Sequence, residues 1–312
     1  MKQTCAELLQ KFENANLDIQ GEKITFSGVG NRDVYNITAP FMDEGEWVIA
    51  GRVEGRDTEH SVVKFFVERE GVWVPRPNAP TFTLQDPFVT WIHGELIFGG
   101  VEIYPHPTIV GALGWRTNFY RGSNIQELKQ FTSGPDGMKD IRLVEMVEGQ
   151  IGVFTRPQGE VGGRGKIGFT VVDTLTDVTP AVIEKAQLLD QFIGEEWGGA
   201  NEVHLLKNGL LGVLGHIACF GEQEERHYYP MVFCFNPSTF QASPMELIAT
   251  RSNFPPGDAK RPDLVEVIFS GGLHRLSNGQ AQFYAGVSDA EAHRILIPDP
   301  FLKYEENMEE NE

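Results

Sequence analysis

Cysteine is scarce in this chain. Cys5, Cys219 and Cys234 are the only three in 312 residues. The number is odd and no spacing matches a metal pair, which argues against a disulfide framework and for free thiols in a reducing compartment. Long apolar runs are missing too, so no segment is expected to span a bilayer as a helix. The N-terminal MKQTCAELLQKFENANL is broken by Glu7, Lys11 and Glu13. That is unlike a signal peptide and reads as a short amphipathic helix within residues 1–20. A cytoplasmic location is the expectation. Cations are outnumbered, 26 Lys and Arg against 44 Asp and Glu, for a net charge of −18. This disfavours nucleic acid and anionic membranes as partners, although local cations can still hold an anionic ligand. There is no GxSxG, Walker, dinucleotide or HExxH signature. His60, His93, His106, His204 and His227 show no metal spacing, so neither a metal nor a cofactor is expected. The GGRG at Gly162–Gly165 has no helix pattern after it and reads as a loop.

What is present is turn-forming residues and short apolar runs. The 34 glycines and 18 prolines are scattered along the chain, as turns rather than as a low-complexity tract. Five hairpin-like stretches place a glycine between two apolar runs, turning at Gly45, Gly94, Gly149, Gly209 and Gly279. The intervals begin near the roughly 40–50-residue unit of propeller blades and lengthen later, leaving room for extra strands. Between them Ser61–Glu68, Trp115–Gly122, Lys166–Asp173 and Tyr229–Asn236 are rich in β-branched or aromatic residues and read as further strands. Apart from the N-terminus, only Pro180–Asp190 suggests a turn or two of helix. The fold expected is all-β, a five-bladed β-propeller in a single domain over residues 1–312, with an acidic tail at 303–312. A β-sandwich is the alternative.

Seven residues past the turn glycines stand Arg52, Val101, Arg156, His216 and Gly286; seven to nine before them stand Asn36, Asp86, Asp140 and Glu202. Hairpin strands run antiparallel, so both sets fall at the end away from the turn, roughly 23 Å from its tip. If the blades are radial, these residues converge on one mouth of the central channel. The plainer reading makes them ordinary edge polars, with Arg52 paired to Glu54, Arg156 paired to Asp140 and His216 a satisfied core histidine. Trp91, Trp115 and Trp197 are core residues on the plainer reading and sugar-stacking faces on the other.

The hairpins resemble those of glycoside hydrolase family 130, the β-mannoside phosphorylases and mannosidases. More closely, the chain is similar to their relatives called domain of unknown function 1861, in the five-bladed propeller superfamily. VYNITAPF resembles the entrance segment that supplies Asn36, AGRVEGRDTEHSVVKFF the segment with Arg52, and LQDPFVTWIHGELIF the segment with the family's acid, here Asp86. MKDIRLVEMVEGQIGVFTRP places Lys139, Asp140 and Arg156. WGGANEVHLLKNGLLGVLGHI leads to His216, and FYAGVSDAE carries Asp289. Gln85, Met138 and Ile37 depart from the pattern.

The resemblance implies an acid, Asp86, whose proton is relayed through a sugar hydroxyl, and an inorganic phosphate that attacks with inversion. Arg52, Lys139, Arg156 and His216 would bind phosphate, since arginine offers a planar fork for two oxygens. Asn36, Asp140, Glu202 and Asp289 would bind the sugar. The expected substrate is a small oligosaccharide with a β-mannoside-like bond. Alternatives are a phosphate-independent hydrolase, a non-catalytic sugar-binding propeller and a protein scaffold. Oligomeric state, homo-oligomer or monomer, stays open.

Overall fold

The computed structural model describes residues 2–306. Five antiparallel sheets follow one another along the chain and form the five blades of a propeller. Blade 1 has strands Asp33–Tyr35, Phe41–Asp43, Glu46–Glu54, Ser61–Arg69 and Val72–Pro75. Blade 2 has Gln85–Ile92, Glu95–Pro105, Leu113–Gly122 and Lys129–Ser133. Blade 3 has Arg142–Glu145, Ile151–Thr155, Gly168–Val172 and Gln187–Leu188. Blade 4 has Trp197–Leu205, Leu211–Phe220 and Arg226–Asn236, with Gln241–Ala242 and Glu246–Leu247 outside. Blade 5 has Ile268–Arg275, Gln280–Val287 and Glu291–Pro298. All five expected glycine turns are hairpin turns, each with its glycine at positive φ.

The ring is closed by the N-terminus. Gly21–Lys23 pairs antiparallel with Glu291–Pro298 as the outer strand of blade 5, so the last blade combines both ends of the chain. The N-terminal helix is shorter than residues 1–20, covering Cys5–Ala15. Thr4 and Glu7 form a reciprocal capping box at its start, and Asn16 ends it in the left-handed region. The expected helix over Pro180–Asp190 is one turn, Pro180–Ile183. Gln187–Leu188 then pairs with Gly168–Phe169 as an outer strand. Of the acidic tail, Leu302–Glu306 is helical; the remainder lies outside the described residues. Among the described residues, no helix is long and apolar enough to cross a membrane. All three cysteines are free.

The core is divided as the blades are. Alternating strands present an apolar face to each neighbour, and five buried clusters fill the spaces between sheets. Phe65 and Phe98 join blades 1 and 2, Phe119 and Val153 join 2 and 3, Phe154 and Phe233 join 3 and 4, Leu214 and Phe283 join 4 and 5, and Tyr284 and Ile49 join 5 and 1. Each such buried phenylalanine contributes about 1.5–3 kcal/mol by leaving water. With the sides of the sheets occupied in this way, the strand ends at the mouth of the channel are left to carry polar groups.

Candidate functional site

At the mouth away from the glycine turns, a cavity of about 270 Å³ is lined by Asn36, Arg52, Asp86, Lys139, Asp140, Arg156, His216 and Asp289, eight of the nine residues expected to form the site. It also takes Glu59, Gln85, Arg226, Tyr228 and Arg261, with Leu264 and Ile268 among its apolar walls. Five cations thus face four carboxylates, in a protein whose net charge is −18.

The backbone explains why acids and an asparagine stand here. Asn36, Asp86, Asp140 and Asp289 have φ of 44°, 48°, 57° and 50°. Asn and Asp tolerate the left-handed region better than other non-glycine residues, and such conformations gather at functional sites. At Asp86 the blade-2 pairing slips between Gln85 and Phe88, a bulge that aims the carboxylate inward. Gly286 and Val101, which stand in register with Arg52, Arg156 and His216, bring no charge. A Cβ at Gly286 would lie 2.0 Å from Asn36 Oδ1, so the blade-5 position is bare to admit that amide.

One wall is built from blades 1 and 2. Asp86 Oδ1 accepts from Asn36 Nδ2 at 2.8 Å and from Arg52 Nη1 at 3.0 Å. The other edge of the Arg52 guanidinium is taken by Glu54, with Nη2 to Oε2 at 2.6 Å, and Arg52 Nε donates to Ser61 at 2.9 Å. Glu54 is wholly buried and also accepts from Tyr35 OH at 2.7 Å and from Lys260. Burial alone would raise the Glu54 pKa, but Arg52, Lys260, Ser61 and Tyr35 hold it below the ordinary value. The two sequence-level readings of Arg52 are therefore both realised, since it pairs with Glu54 and faces the site.

The opposite wall comes from blades 3 and 4. Arg156 Nη1 is 3.4 Å from Asp140 Oδ2 and its Nε donates to Gly198 O at 2.8 Å. The guanidinium lies so close to the strand that a Cβ at Gly199 would stand 2.7 Å from Arg156 Cδ. Arg156 Nη1 is buried with no hydrogen-bond partner among the described residues. Burial would raise the Asp140 pKa, yet Arg156, Lys139, His216 and Arg142 outweigh it and bring it to about 2. Burial lowers His216 to about 3; Asp140 opposes the shift and the nearby cations reinforce it. His216 is therefore a neutral ring. Its Nδ1 lies 2.8 Å from Asn201 Oδ1, and its face stacks on Tyr228 with centroids 5.3 Å apart.

Glu202 is not brought to the cavity. Its Oε2 accepts from Leu273 N at 2.7 Å and meets His204 Nε2 at 2.7 Å. The cause is a bulge between Ala200 and Glu202, which gives the inward position beside His216 to Asn201. The tryptophans do not line the cavity either. Trp91 is largely exposed, near the glycine turn, whereas Trp197 supports the site indirectly, its Nε1 donating to Tyr228 OH at 3.0 Å. Sequence reasoning passed over Asn201, Tyr228, Arg226 and Arg261. It did name the Arg52–Glu54 pair, since Glu54 is two residues from Arg52 and so on the same face of a strand.

The model of the family described as "Protein of unknown function (DUF1861)" matches residues 10–303. Among curated proteins, none matches. Among solved structures, MPT-4, a mannose phosphorylase from Leishmania mexicana in complex with phosphate ion, is 36% identical; the match covers 95% of this chain and 93% of that one, with a TM-score of 0.88. MPT-1, a GDP-Man-dependent mannosyltransferase from the same organism, is 33% identical, with 96% and 95% covered and a TM-score of 0.86. A beta-1,2-mannobiose phosphorylase from Listeria innocua is 12% identical, with 93% and 99% covered and a TM-score of 0.63, a likeness of fold.

Proposed function

The chain belongs to the DUF1861 family, and we propose that it is a mannoside-processing enzyme that cleaves or forms a β-mannoside-like bond by inverting phosphorolysis. The observation that carries this reading is Arg156 Nη1, a buried guanidinium nitrogen that ion-pairs with Asp140 Oδ2 at 3.4 Å yet makes no hydrogen bond among the described residues, in the cavity that Asp86 and Lys139 also line. A buried donor of that kind costs free energy unless a ligand satisfies it, and a phosphate oxygen is the natural acceptor for a guanidinium. Similarity to a mannose phosphorylase that holds a phosphate ion adds weight.

On this reading inorganic phosphate, the co-substrate, occupies the Lys139–Arg156–His216 wall. Arg52 anchors Asp86 on the other side, and Asn36 and Asp140 meet sugar hydroxyls. Asp86 delivers a proton to the leaving glycosidic oxygen while a phosphate oxygen attacks the anomeric carbon from the opposite face. A cavity of about 270 Å³ falls below the roughly 300–1,000 Å³ of drug-sized sites, which suits a single sugar with a phosphate.

Incubation with manno-oligosaccharides and phosphate is expected to yield a sugar 1-phosphate and a shortened oligosaccharide. Free mannose released at a rate indifferent to phosphate would replace this reading with hydrolysis. The relative named as a GDP-Man-dependent mannosyltransferase supports a second reading, mannosyl transfer from a nucleotide sugar. It would be recognised by GDP release that depends on a sugar acceptor.

A further inference from the structure

His216 meets the cavity with one ring nitrogen only. Its Nδ1 lies 2.8 Å from Asn201 Oδ1. Among the described residues its Nε2 has no hydrogen-bond partner, and it is not one of the enclosed orphan atoms, so it opens to the cavity that the ring lines. The ring is held in place. Tyr228 stacks on its face with the planes 23° apart, and Trp197 Nε1 holds the Tyr228 hydroxyl at 3.0 Å. Gly199 leaves room for the ring edge, since a Cβ there would stand 3.0 Å from His216 Cε1. Asn201 is fixed as well. The bulge between Ala200 and Glu202 gives it the inward position, its backbone oxygen accepts from Arg142 Nε at 2.6 Å, and it is buried.

A neutral imidazole carries one N–H and one lone pair, and the bond made by one nitrogen decides the role of the other. An amide oxygen facing Nδ1 places the proton there, which leaves Nε2 as the lone pair. The charges around the ring agree with this arrangement. Burial keeps the ring neutral; Asp140 opposes that, while Arg156, Lys139 and Arg142 reinforce it. Three cations against one carboxylate also favour a lone pair over an N–H at the open nitrogen.

We propose that Asn201 makes His216 a hydrogen-bond acceptor at the cavity, so that this wall selects an anion with its own O–H, hydrogen phosphate, over sulfate. The selection rests on the reading that phosphate occupies this wall; the state of the ring does not. Lys139 and Arg156 are donors only and serve the bare oxygens of either anion. Sulfate has the same tetrahedral shape. Phosphate keeps at least one proton at neutral pH, whereas sulfate keeps none and would set an oxygen against the Nε2 lone pair. That mismatch is expected to weaken sulfate about 5- to 150-fold against phosphate. Asn201 is thus a positioning residue that acts through His216.

The test has two arms, both on the full chain. Long-range proton–nitrogen NMR of the nitrogen-15-labelled, anion-free protein at neutral pH reads the ring directly. The His216 signals are assigned by their proximity to the Tyr228 ring and by their loss in His216→Gln. The expected pattern is a protonated Nδ1 and a bare Nε2, with Nε2 shifting toward the protonated type in Asn201→Leu. A protonated Nε2 in the wild type, alone or together with Nδ1, overturns the proposal, and so does a pattern that Asn201→Leu leaves unmoved. The second arm is calorimetric titration with inorganic phosphate and with sulfate at equal ionic strength. The wild type is expected to prefer phosphate by the factor above, and Asn201→Leu to lose most of the preference. Equal wild-type affinities overturn the selection. If neither anion binds, the phosphorolysis reading falls and the selection with it, while the nitrogen spectrum still decides what Asn201 does to the ring. The wild-type measurements decide both points even if a variant misfolds.

Discussion

Arg52 reaches Asp86 at 3.0 Å while Glu54 grips its other edge at 2.6 Å. Glu54 therefore sets the position of Asp86 without lining the cavity itself. Glu54→Gln keeps the shape and removes the charge that balances Arg52 and Lys260. Breaking such a buried pair costs about 3–5 kcal/mol, so chemical denaturation should show a midpoint lowered accordingly. In the fraction that folds, turnover should fall more than substrate affinity, because Arg52 is then free to leave Asp86.

Phosphate should stabilise the protein through Arg156. A ligand that binds only the folded state raises the melting temperature with its concentration. Arg156→Met removes charge-assisted hydrogen bonds worth roughly 1.5–3 kcal/mol, which corresponds to about a 10- to 150-fold weaker phosphate affinity. Thermal melts over a phosphate series should show a rising wild-type curve and a nearly flat variant. Equal responses from both would place the anion elsewhere.

The hairpins were legible because turn glycines and alternating apolar residues are local signals that tertiary contacts do not override. Asn36, Arg52, Asp86, Asp140, Arg156 and His216 followed from register alone, since residues at matching distances from the turns reach the same end of the channel, whereas Lys139 and Asp289 came from the family resemblance. Register also failed where a backbone irregularity intervened. The bulge before Glu202 moved the inward position to Asn201, and nothing in the residue types announces a bulge there. Tyr228 was not legible because its stacking on His216 is a contact across strands. Lys260 and Arg261 come from a segment without periodicity, held by Lys260 N to Ser288 O at 3.0 Å, which sequence pattern does not reveal.

The closing strand Gly21–Lys23 is too short and polar to be read as a strand, yet it covers the edge of Glu291–Pro298 and leads into buried Ile24. Removal of residues 1–24 would expose that edge, a template for pairing with other chains. Light scattering at fixed concentration should show the truncated protein aggregating at a temperature where the full chain stays dispersed. A monodisperse truncated form would mean that blade 5 closes without its N-terminal strand.

His216 gives the protein a specific acid weakness. Its folded pKa, about 3, lies below the unfolded value of 6.5, so the unfolded chain binds more protons between those limits. The stability contributed by the neutral ring is present above pH 6.5 and is lost as pH falls toward 3, at up to about 1.4 kcal/mol per pH unit. Asp140 adds a second loss lower down, since its folded pKa of about 2 is beneath the ordinary 3.8; that share is intact above 3.8 and disappears as pH falls through 2. His216→Gln removes the first loss and leaves the second. Urea unfolding at pH 7, 6, 5 and 4 should therefore show a steep decline for the wild type and a shallower one for the variant. Parallel declines would show that His216 is charged in the folded protein, and the neutral ring beside Asn201 would be wrong.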